Sequence, residues 1–219
     1  MIYTIGGIKG GSGKSTIATN LAIMLSLAGR DVLLVDADDQ ETATDFTFWR
    51  TETRGEKGTG YTAIQLSNMA VRTQVMNLKE KYDDIVIDTG GRDTTSQRAA
   101  LAVSDIFVVP FIPRSFDIWT LEKVVTLVEE MTAANPALKA VAVLNKTDPK
   151  GSDNDDARGL LSEDEQAKGV LRLIDTPLGH RKAYANAAAK GLSVVELRPK
   201  DQKAIDEVEK LYNVITNLK

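Results

Sequence analysis

Short apolar runs alternate with longer segments of mixed polarity along the 219-residue chain. Several of the runs are apolar at every position, which is typical of strands covered by helices on both faces. Regular alternation of strand-like and helix-like segments predicts βαβ units and a parallel sheet. The predicted strands are Ile2–Ile5, Val32–Val35, Asp84–Ile87, Ile106–Pro110, Ala140–Leu144 and Val170–Ile174.

Apolar residues spaced three or four apart predict helices between these strands. The predicted helices are Lys14–Ala28, Met69–Lys81, Phe116–Ala134 and Lys200–Leu218. Two other segments, Thr53–Gly60 and Asp148–Asp156, are rich in turn-forming residues and predict loops. Neither is long enough to be an interdomain linker, so we expect a single domain over residues 1–219.

The amino-acid composition excludes several kinds of functional site and membrane segment. The chain has no cysteine, which excludes disulfides, thiolate metal sites and cysteine nucleophiles. The N-terminus lacks a signal-peptide pattern, and no apolar run approaches the ~20 residues of a membrane-spanning helix. We therefore expect a cytoplasmic protein that does not cross a membrane.

Charge is unevenly distributed around a net value of −4. Residues 147–168 contain seven acidic and three basic side chains, whereas residues 181–219 contain eight basic and five acidic ones. The basic C-terminal part could face a polyanion. A solvated helical surface explains the same pattern, and charge alone favours that simpler explanation.

A glycine-rich segment separates the first predicted strand from the first predicted helix. At such a junction, backbone N–H groups and the positive end of the helix can hold a phosphate chain. A glycine turn that merely precedes a helix is the alternative, which the strand–loop–helix context disfavours. In the P-loop scheme Lys14 contacts the β- and γ-phosphates, Ser15 binds Mg²⁺ and Thr16 contacts the α-phosphate. The residues predicted to bind nucleotide here are Gly10, Gly11, Ser12, Gly13, Lys14, Ser15 and Thr16.

This segment reads K-G-G-S-G-K-S from Lys9, with Ile8 where the usual P-loop motif has glycine. It resembles the deviant Walker A signature of the ParA/MinD family. The resemblance implies ATP hydrolysis, and it implies that Lys9 reaches the partner's nucleotide across an ATP-sandwich homodimer. We therefore expect an α/β fold, a single-domain P-loop NTPase with a mostly parallel twisted sheet flanked by helices on both faces.

Acidic residues follow two predicted strands, where an α/β sheet places its ligand crevice. Residues 36–40 resemble the family's D-x-D-x-Q segment, although Asp39 replaces the usual proline. The resemblance implies that Asp38 orients or activates the attacking water and that Asp36 supports the Mg²⁺ shell. Asp88 ends a Walker B pattern and is predicted to hold Mg²⁺ through water, together with Ser15. Thr89-Gly90-Gly91 resembles the switch that senses the γ-phosphate.

The tetrapeptide Asn145-Lys146-Thr147-Asp148 matches the N-K-x-D motif with which GTPases recognise guanine. In that motif the aspartate accepts hydrogen bonds that adenine cannot donate. In ParA-like proteins an asparagine at this strand end contacts adenine, which implies that role for Asn145. Lys9 and the Asp38–Gln40 segment favour ATP over GTP.

The C-terminal segment resembles the region with which ParA proteins bind DNA as ATP dimers. Such binding is nonspecific and strongly salt-dependent, because phosphate neutralisation dominates it. The matching cations are Arg181, Lys182, Arg198, Lys200 and Lys203.

The resemblance thus implies a nucleoid-associated ATPase whose cargo-bound, ParB-like partner stimulates hydrolysis. Plasmid or chromosomal DNA is the first expectation for the cargo. The alternatives are a protein cargo, such as carboxysomes or chemoreceptor clusters, and a MinD-like regulator that cycles on the membrane. A metabolic ligase or a GTPase of the same fold is a further alternative.

Overall fold

A computed structural model describes residues 1–115, 118–148, 152–163 and 165–218. Its strands form one sheet in the order β3-β2-β4-β1-β5-β6-β7, with β8 paired to β6, and every pairing is parallel. All six predicted strands are present, while β3 and β8 are additional. The strands are β1 Ile2–Ile5, β2 Val32–Ala37, β3 Thr62–Gln65, β4 Asp84–Thr89, β5 Ile106–Phe111, β6 Lys139–Thr147, β7 Leu171–Leu173 and β8 Leu178–Gly179.

Helices connect the strands and end the chain. The four predicted helices correspond to α1, α3, α5 and α9, although the expected start of α5 at Phe116 falls outside the described residues. Within the described part, no helix is long and apolar enough to cross a membrane. The helices are α1 Lys14–Leu27, α2 Thr42–Arg54, α3 Met69–Leu78, α4 Thr95–Leu101, α5 Ile118–Ala134, α6 Asp153–Glu163, α7 Glu165–Val170, α8 Lys182–Ala188 and α9 Gln202–Thr216.

The two predicted loops are partly helical. The α2 helix continues into the first of them as far as Arg54 and ends at Gly55, whose φ of 52° suits glycine. In the second, α6 begins at Asp153. Its first turn carries three aspartates, which the positive end of a helix stabilises. The acidic cluster that we expected in a loop is therefore the start of a helix.

The core lies on both faces of the sheet, as expected. Leu34 of β2 and Val86 of β4 pack with α1 and α9 on one face, whereas Leu33 and Ile85 pack on the other. Because all pairings are parallel, the carboxyl ends of β1, β2, β4 and β6 meet at one edge of the sheet. That edge brings together the glycine-rich loop, the acidic residues after β2 and β4, and Asn145.

The α2 helix is fastened to the C-terminal segment through Arg50, which is fully buried. Its guanidinium donates to the Glu196 carboxylate at 2.7 and 3.0 Å and to the carbonyl oxygens of Gly191 and Thr59. Burial raises the pKa of Glu196, but the hydrogen bonds from Arg50 and the Ser193 amide, with nearby positive charge, bring it below its ordinary value. The Arg50–Glu196 ion pair therefore joins two segments that are distant in sequence.

Replacing Glu196 with alanine is expected to lower the free energy of unfolding by about 3 kcal/mol, because Arg50 would remain buried without its carboxylate. The melting temperature should fall by roughly 2–4 °C per kcal/mol. Glu52→Ala, an exposed change on α2, serves as the control and should have almost no effect. Equal stability of the two variants in chemical denaturation would contradict a structural role for this ion pair.

Candidate nucleotide-binding site

The glycine-rich loop closes over the start of α1. Gly11 and Gly13 have φ of 72° and 92°, a left-handed conformation that favours glycine. A Cβ atom at Gly13 would also collide with the side-chain amide of Asn145. No side chain caps α1, and its first turn has no acidic residue. The first N–H groups of the helix are therefore free to bind an anion.

Lys14 lies beneath this loop and is only 6% exposed. Its Nζ donates to the carbonyl oxygen of Lys9 at 3.1 Å. Burial lowers the pKa of Lys14, and the nearby Asp88 and Asp38 carboxylates oppose that shift. A buried ammonium beside a helix N-terminus is suited to bind phosphate.

Asp88 is fully buried at the end of β4, and neither of its oxygens has a hydrogen bond of good geometry among the described groups. Its pKa is raised to about 8, chiefly because burial disfavours the charged form. The Asp36 and Asp38 carboxylates also raise the pKa, whereas the nearby Ser15 hydroxyl and Lys14 charge lower it. A buried carboxylate without partners is rare unless an ion completes it. Magnesium commonly uses one or two protein oxygens together with substrate phosphates, so Ser15 and Asp88 fit such a site.

The raised pKa of Asp88 predicts a pH-dependent stability for the nucleotide-free protein. In the unfolded chain Asp88 loses its proton near the ordinary value of 3.8, but in the folded protein it does so only near 8. The free energy of unfolding should therefore fall as pH rises between these values. Asp88→Asn should flatten that decline, measured by chemical denaturation at several pH values between about 5 and 8. An unchanged slope would contradict protonation of Asp88 in the folded state.

The two aspartates after β2 have different surroundings. The buried Asp36 accepts hydrogen bonds from the Thr44 amide at 2.7 Å, the Thr44 hydroxyl at 2.8 Å and the Asp38 amide at 3.2 Å. It thereby anchors the first turn of α2, and its support of Mg²⁺ stays a prediction. Asp38 is more exposed, accepts from the Gln40 amide at 3.1 Å and lies against Gly90. From there its carboxylate faces the cleft.

The loop after β4 touches the glycine-rich loop directly. A Cβ atom at Gly91 would lie 2.7 Å from the backbone of Gly10, so only glycine allows this approach. The buried Gln97 joins the same region by accepting from the Gly7 amide at 2.8 Å and the Thr89 hydroxyl at 3.0 Å. Sequence reasoning missed Gln97, because no motif marks it. The glycine-rich loop and the loop after β4 are therefore in direct contact.

The N-K-x-D segment also contacts the glycine-rich loop. Asn145 Nδ2 donates to the carbonyl oxygen of Ser12 at 2.6 Å, and Lys146 Nζ donates to that of Gly11 at 2.7 Å. Asp148 forms an ion pair with Arg114 at 2.9 Å. Lys146 is a cleft residue that sequence analysis did not assign, although its place in the motif could have marked it. The adenine contact of Asn145 stays a prediction.

An open cleft of about 790 Å³ lies between these loops. Its size is within the range of small-molecule sites. It is lined by the glycine-rich loop, by Asp38, Asp39 and Gln40, and by residues 90–92. Most of the predicted phosphate-binding residues therefore line one cleft together with Asp38, and Lys9 is half-buried in the same loop. The lining does not include four other predicted site residues, which are buried: Ser12, Asp36, Asp88 and Asn145.

The predicted DNA-binding cations lie apart from this cleft lining. Lys182, Arg198, Lys200 and Lys203 are exposed. Arg181 instead forms an ion pair with Glu207 at 2.6 Å and is only partly exposed. Four of the five side chains are thus available to a polyanion, and the fifth also fastens the start of α8 to α9.

Comparisons with known proteins place the chain among nucleotide-binding domains. The family model of the CobQ/CobB/MinD/ParA nucleotide-binding domain matches residues 3–194. "Maintenance of carboxysome distribution protein A" from Halothiobacillus neapolitanus is 28% identical over 213 residues, 96% of this chain and 94% of that protein.

Two solved structures are similar in fold. The McdA(D38A)–ATP complex of Cyanothece has a TM-score of 0.79 and 17% identity, covering 100% of this chain and 97% of that one. A plasmid partition protein of Borrelia burgdorferi has a TM-score of 0.68 and 22% identity, covering 98% and 97%. With the family model spanning most of the chain, this protein belongs to the CobQ/CobB/MinD/ParA family of nucleotide-binding domains.

Proposed function

We propose that this protein is an ATPase that positions a large protein assembly by cycling on and off nonspecific DNA. The observation that carries the enzymatic part is the buried Asp88 carboxylate, which lacks a hydrogen bond of good geometry within the described residues and lies near Lys14 and Ser15, two residues that line the cleft. This arrangement suits a magnesium-bound nucleotide triphosphate.

Each group in the cleft has a distinct role. The N–H groups of the glycine-rich loop and the Lys14 ammonium bind the phosphates. Ser15 and Asp88 would hold Mg²⁺, which would offset the phosphate charge. Asp38, which lies against Gly90, orients the attacking water, and Gly90 and Gly91 allow the adjoining loop to respond to the γ-phosphate.

ATP would also join two copies of the chain. Lys9 is a half-buried residue at the start of the glycine-rich loop, and in the proposed dimer its side chain would contact the partner's nucleotide. The dimer then doubles the exposed cations Lys182, Arg198 and Lys200, and so increases avidity for DNA. Hydrolysis separates the copies and releases them.

Comparison favours a protein cargo over the plasmid or chromosomal DNA that sequence analysis places first. The relative from Halothiobacillus neapolitanus, named for carboxysome distribution, aligns over nearly the full length of both chains. Plasmid partition is the second candidate, supported by the similarity in fold to the Borrelia burgdorferi partition protein.

DNA binding and sedimentation test the biochemical part. The purified protein should bind nonspecific duplex DNA with ATP, but not with ADP, GTP or no nucleotide, and only as a dimer. Moderate salt should weaken the complex steeply. Absence of DNA binding in every nucleotide state would overturn the proposal, and a response to GTP alone would reassign Asp148 to guanine recognition.

The cargo is tested in the host cell. Deleting the gene should leave large protein assemblies clustered or unevenly inherited, while plasmid retention is unchanged. Loss of plasmids with normal assembly distribution would favour the second candidate.

A further inference from the structure

The N-K-x-D tetrapeptide at the end of β6 is held in a defined position against the glycine-rich loop. Its first residue, Asn145, donates to the carbonyl oxygen of Ser12 at 2.6 Å. Its second residue, Lys146, donates to that of Gly11 at 2.7 Å and has a φ of 55°. A left-handed conformation is uncommon outside glycine and recurs at functional sites. The start of the motif is therefore part of the proposed nucleotide site.

The third residue of the motif is fixed by the segment that contains β8. The Thr147 hydroxyl donates to the carbonyl oxygen of Leu178 at 3.2 Å. The Thr147 carbonyl oxygen accepts from the His180 amide at 2.9 Å. Three of the four motif residues are thus held by contacts with the glycine-rich loop or with the β8 segment.

Asp148 has the position of the guanine-recognising aspartate but is paired with Arg114. This arginine lies in the turn of residues 113–115 after β5, the strand that pairs with β6. Its guanidinium is 2.9 Å from Asp148 Oδ2 and 3.3 Å from an Asp153 carboxylate oxygen at the start of α6. Among the described residues, the cleft lining includes Lys146 but not Asp148, Arg114 or Asp153. The ion pair therefore holds the Asp148 carboxylate outside the cleft lining.

This pairing matters because guanine and adenine differ in what they ask of a carboxylate. In the N-K-x-D motif the aspartate accepts from the N1–H group and the exocyclic amine of guanine. A hydrogen bond between a guanidinium and a carboxylate is charge-assisted, so a neutral base competes poorly for an oxygen that Arg114 already occupies. Adenine lacks both guanine donors, so its binding does not depend on Asp148.

We propose that Arg114 is a specificity-determining residue, which excludes guanine nucleotides by keeping the Asp148 carboxylate away from the base. This inference rests on the proposed nucleotide-binding function. Arg114 acts through Asp148 and does not touch the nucleotide. A purely structural ion pair between the β5 turn and α6 predicts a different result, because its loss would change stability but not base preference.

Nucleotide binding to the full-length protein in the presence of Mg²⁺, measured by isothermal titration calorimetry, tests the proposal. Arg114→Ala should raise the affinity for GTP about tenfold, because Asp148 can then accept from both guanine donors. Inosine triphosphate lacks the exocyclic amine and should gain less affinity than GTP. The affinity for ATP should change by less than about twofold. An unchanged affinity for GTP in the folded variant would overturn the proposal.

A second variant shows whether Asp148 itself reads the base. A carboxamide both donates and accepts, so an asparagine at this position would accept from N1–H and donate to the C2 carbonyl oxygen of xanthine. The double variant Arg114→Ala, Asp148→Asn should therefore lose the gained affinity for GTP and bind xanthosine triphosphate about tenfold more tightly than GTP. Retention of the GTP gain in the double variant would contradict recognition by Asp148.

Matched controls separate this effect from charge and folding. Arg158→Ala removes the same charge from another exposed ion pair, with Asp175, and should leave GTP affinity unaltered. Arg114→Lys keeps a positive charge beside Asp148 and should still exclude GTP. Because exposed ion pairs contribute little to stability, every variant should unfold thermally near the temperature of the unaltered protein. An equal gain in GTP affinity in the Arg158 variant would disprove a specific role for Arg114.

The outcome is distinguishable from failure of the proposed function. Binding and hydrolysis of ATP by the unaltered protein are measured first. If ATP is bound and hydrolysed while Arg114→Ala gains no affinity for GTP, only the selectivity role is disproved. If the unaltered protein binds neither nucleotide, or binds GTP more tightly than ATP, the ATPase proposal fails as well.

Discussion

Replacing Lys14 with alanine is expected to abolish nucleotide binding. Its ammonium is buried beneath the glycine-rich loop, close to the position where the first turn of α1 can hold phosphate. Loss of a buried charge that contacts a ligand typically costs 2–5 kcal/mol, so affinity for ATP should fall about 100-fold or more. Isothermal titration calorimetry or a fluorescent ATP analogue measures the change directly.

Two further variants make the Lys14 result interpretable. Lys14→Met keeps much of the apolar stem without the charge, so it separates packing from electrostatics. Lys79→Ala removes an exposed lysine from the turn after α3 and should bind ATP normally. Thermal unfolding shows whether each variant is folded. A folded Lys14→Ala protein with nearly unchanged affinity would disprove the assignment of the phosphate site.

Replacing Asp38 with alanine should instead preserve ATP binding and abolish most hydrolysis. Asp38 is partly exposed on the wall of the cleft, so its truncation leaves no buried charge unpaired. Removing a group that orients or deprotonates water commonly slows a reaction by 10²–10⁴-fold, and we expect a loss of roughly 100-fold or more. The variant should persist as an ATP-bound dimer that stays on DNA.

The neighbouring Asp39 is the matched control, because it is an exposed carboxylate that also lines the cleft. Asp39→Ala should retain turnover close to the original rate. Phosphate release and analytical ultracentrifugation distinguish the two variants. If the Asp38 variant hydrolysed ATP as fast as the unaltered protein, a different group would have to activate the water.

Much of the candidate site could be predicted because its signals are local. A strand, a glycine turn and a helix that follow one another in the sequence must form one junction. The sequence therefore predicts residues 8–16 as a single phosphate-binding segment. Asp88 could be predicted for the same reason, because it directly follows the apolar run of residues 85–87. By contrast, Lys146 and Gln97 act through contacts with loops more than 80 residues away. Single residues without a local motif leave no pattern to detect.

Elements at the margin of the sheet were harder to predict. Strand β3 is Thr62–Gln65, and three of its four residues are exposed, so it lacks the apolar run that identified the central strands. The β8 strand has only two residues. The C-terminal half of α2 depends on the buried Arg50 and its distant partner Glu196. These three elements form because of contacts with other parts of the fold, not because of a local hydrophobic pattern in the sequence.

The strand–helix alternation, the glycine-rich phosphate loop and the acidic strand ends can be predicted because each follows from residues close together in the chain. Only the folded structure reveals that Asp36 fastens α2, that Arg181 pairs with Glu207, and that α2 is bonded at its other end to Glu196 of the C-terminal segment. These contacts join residues that are close in space but not in a shared motif. Burial and ion pairing between such residues arise when the helices pack on the completed sheet.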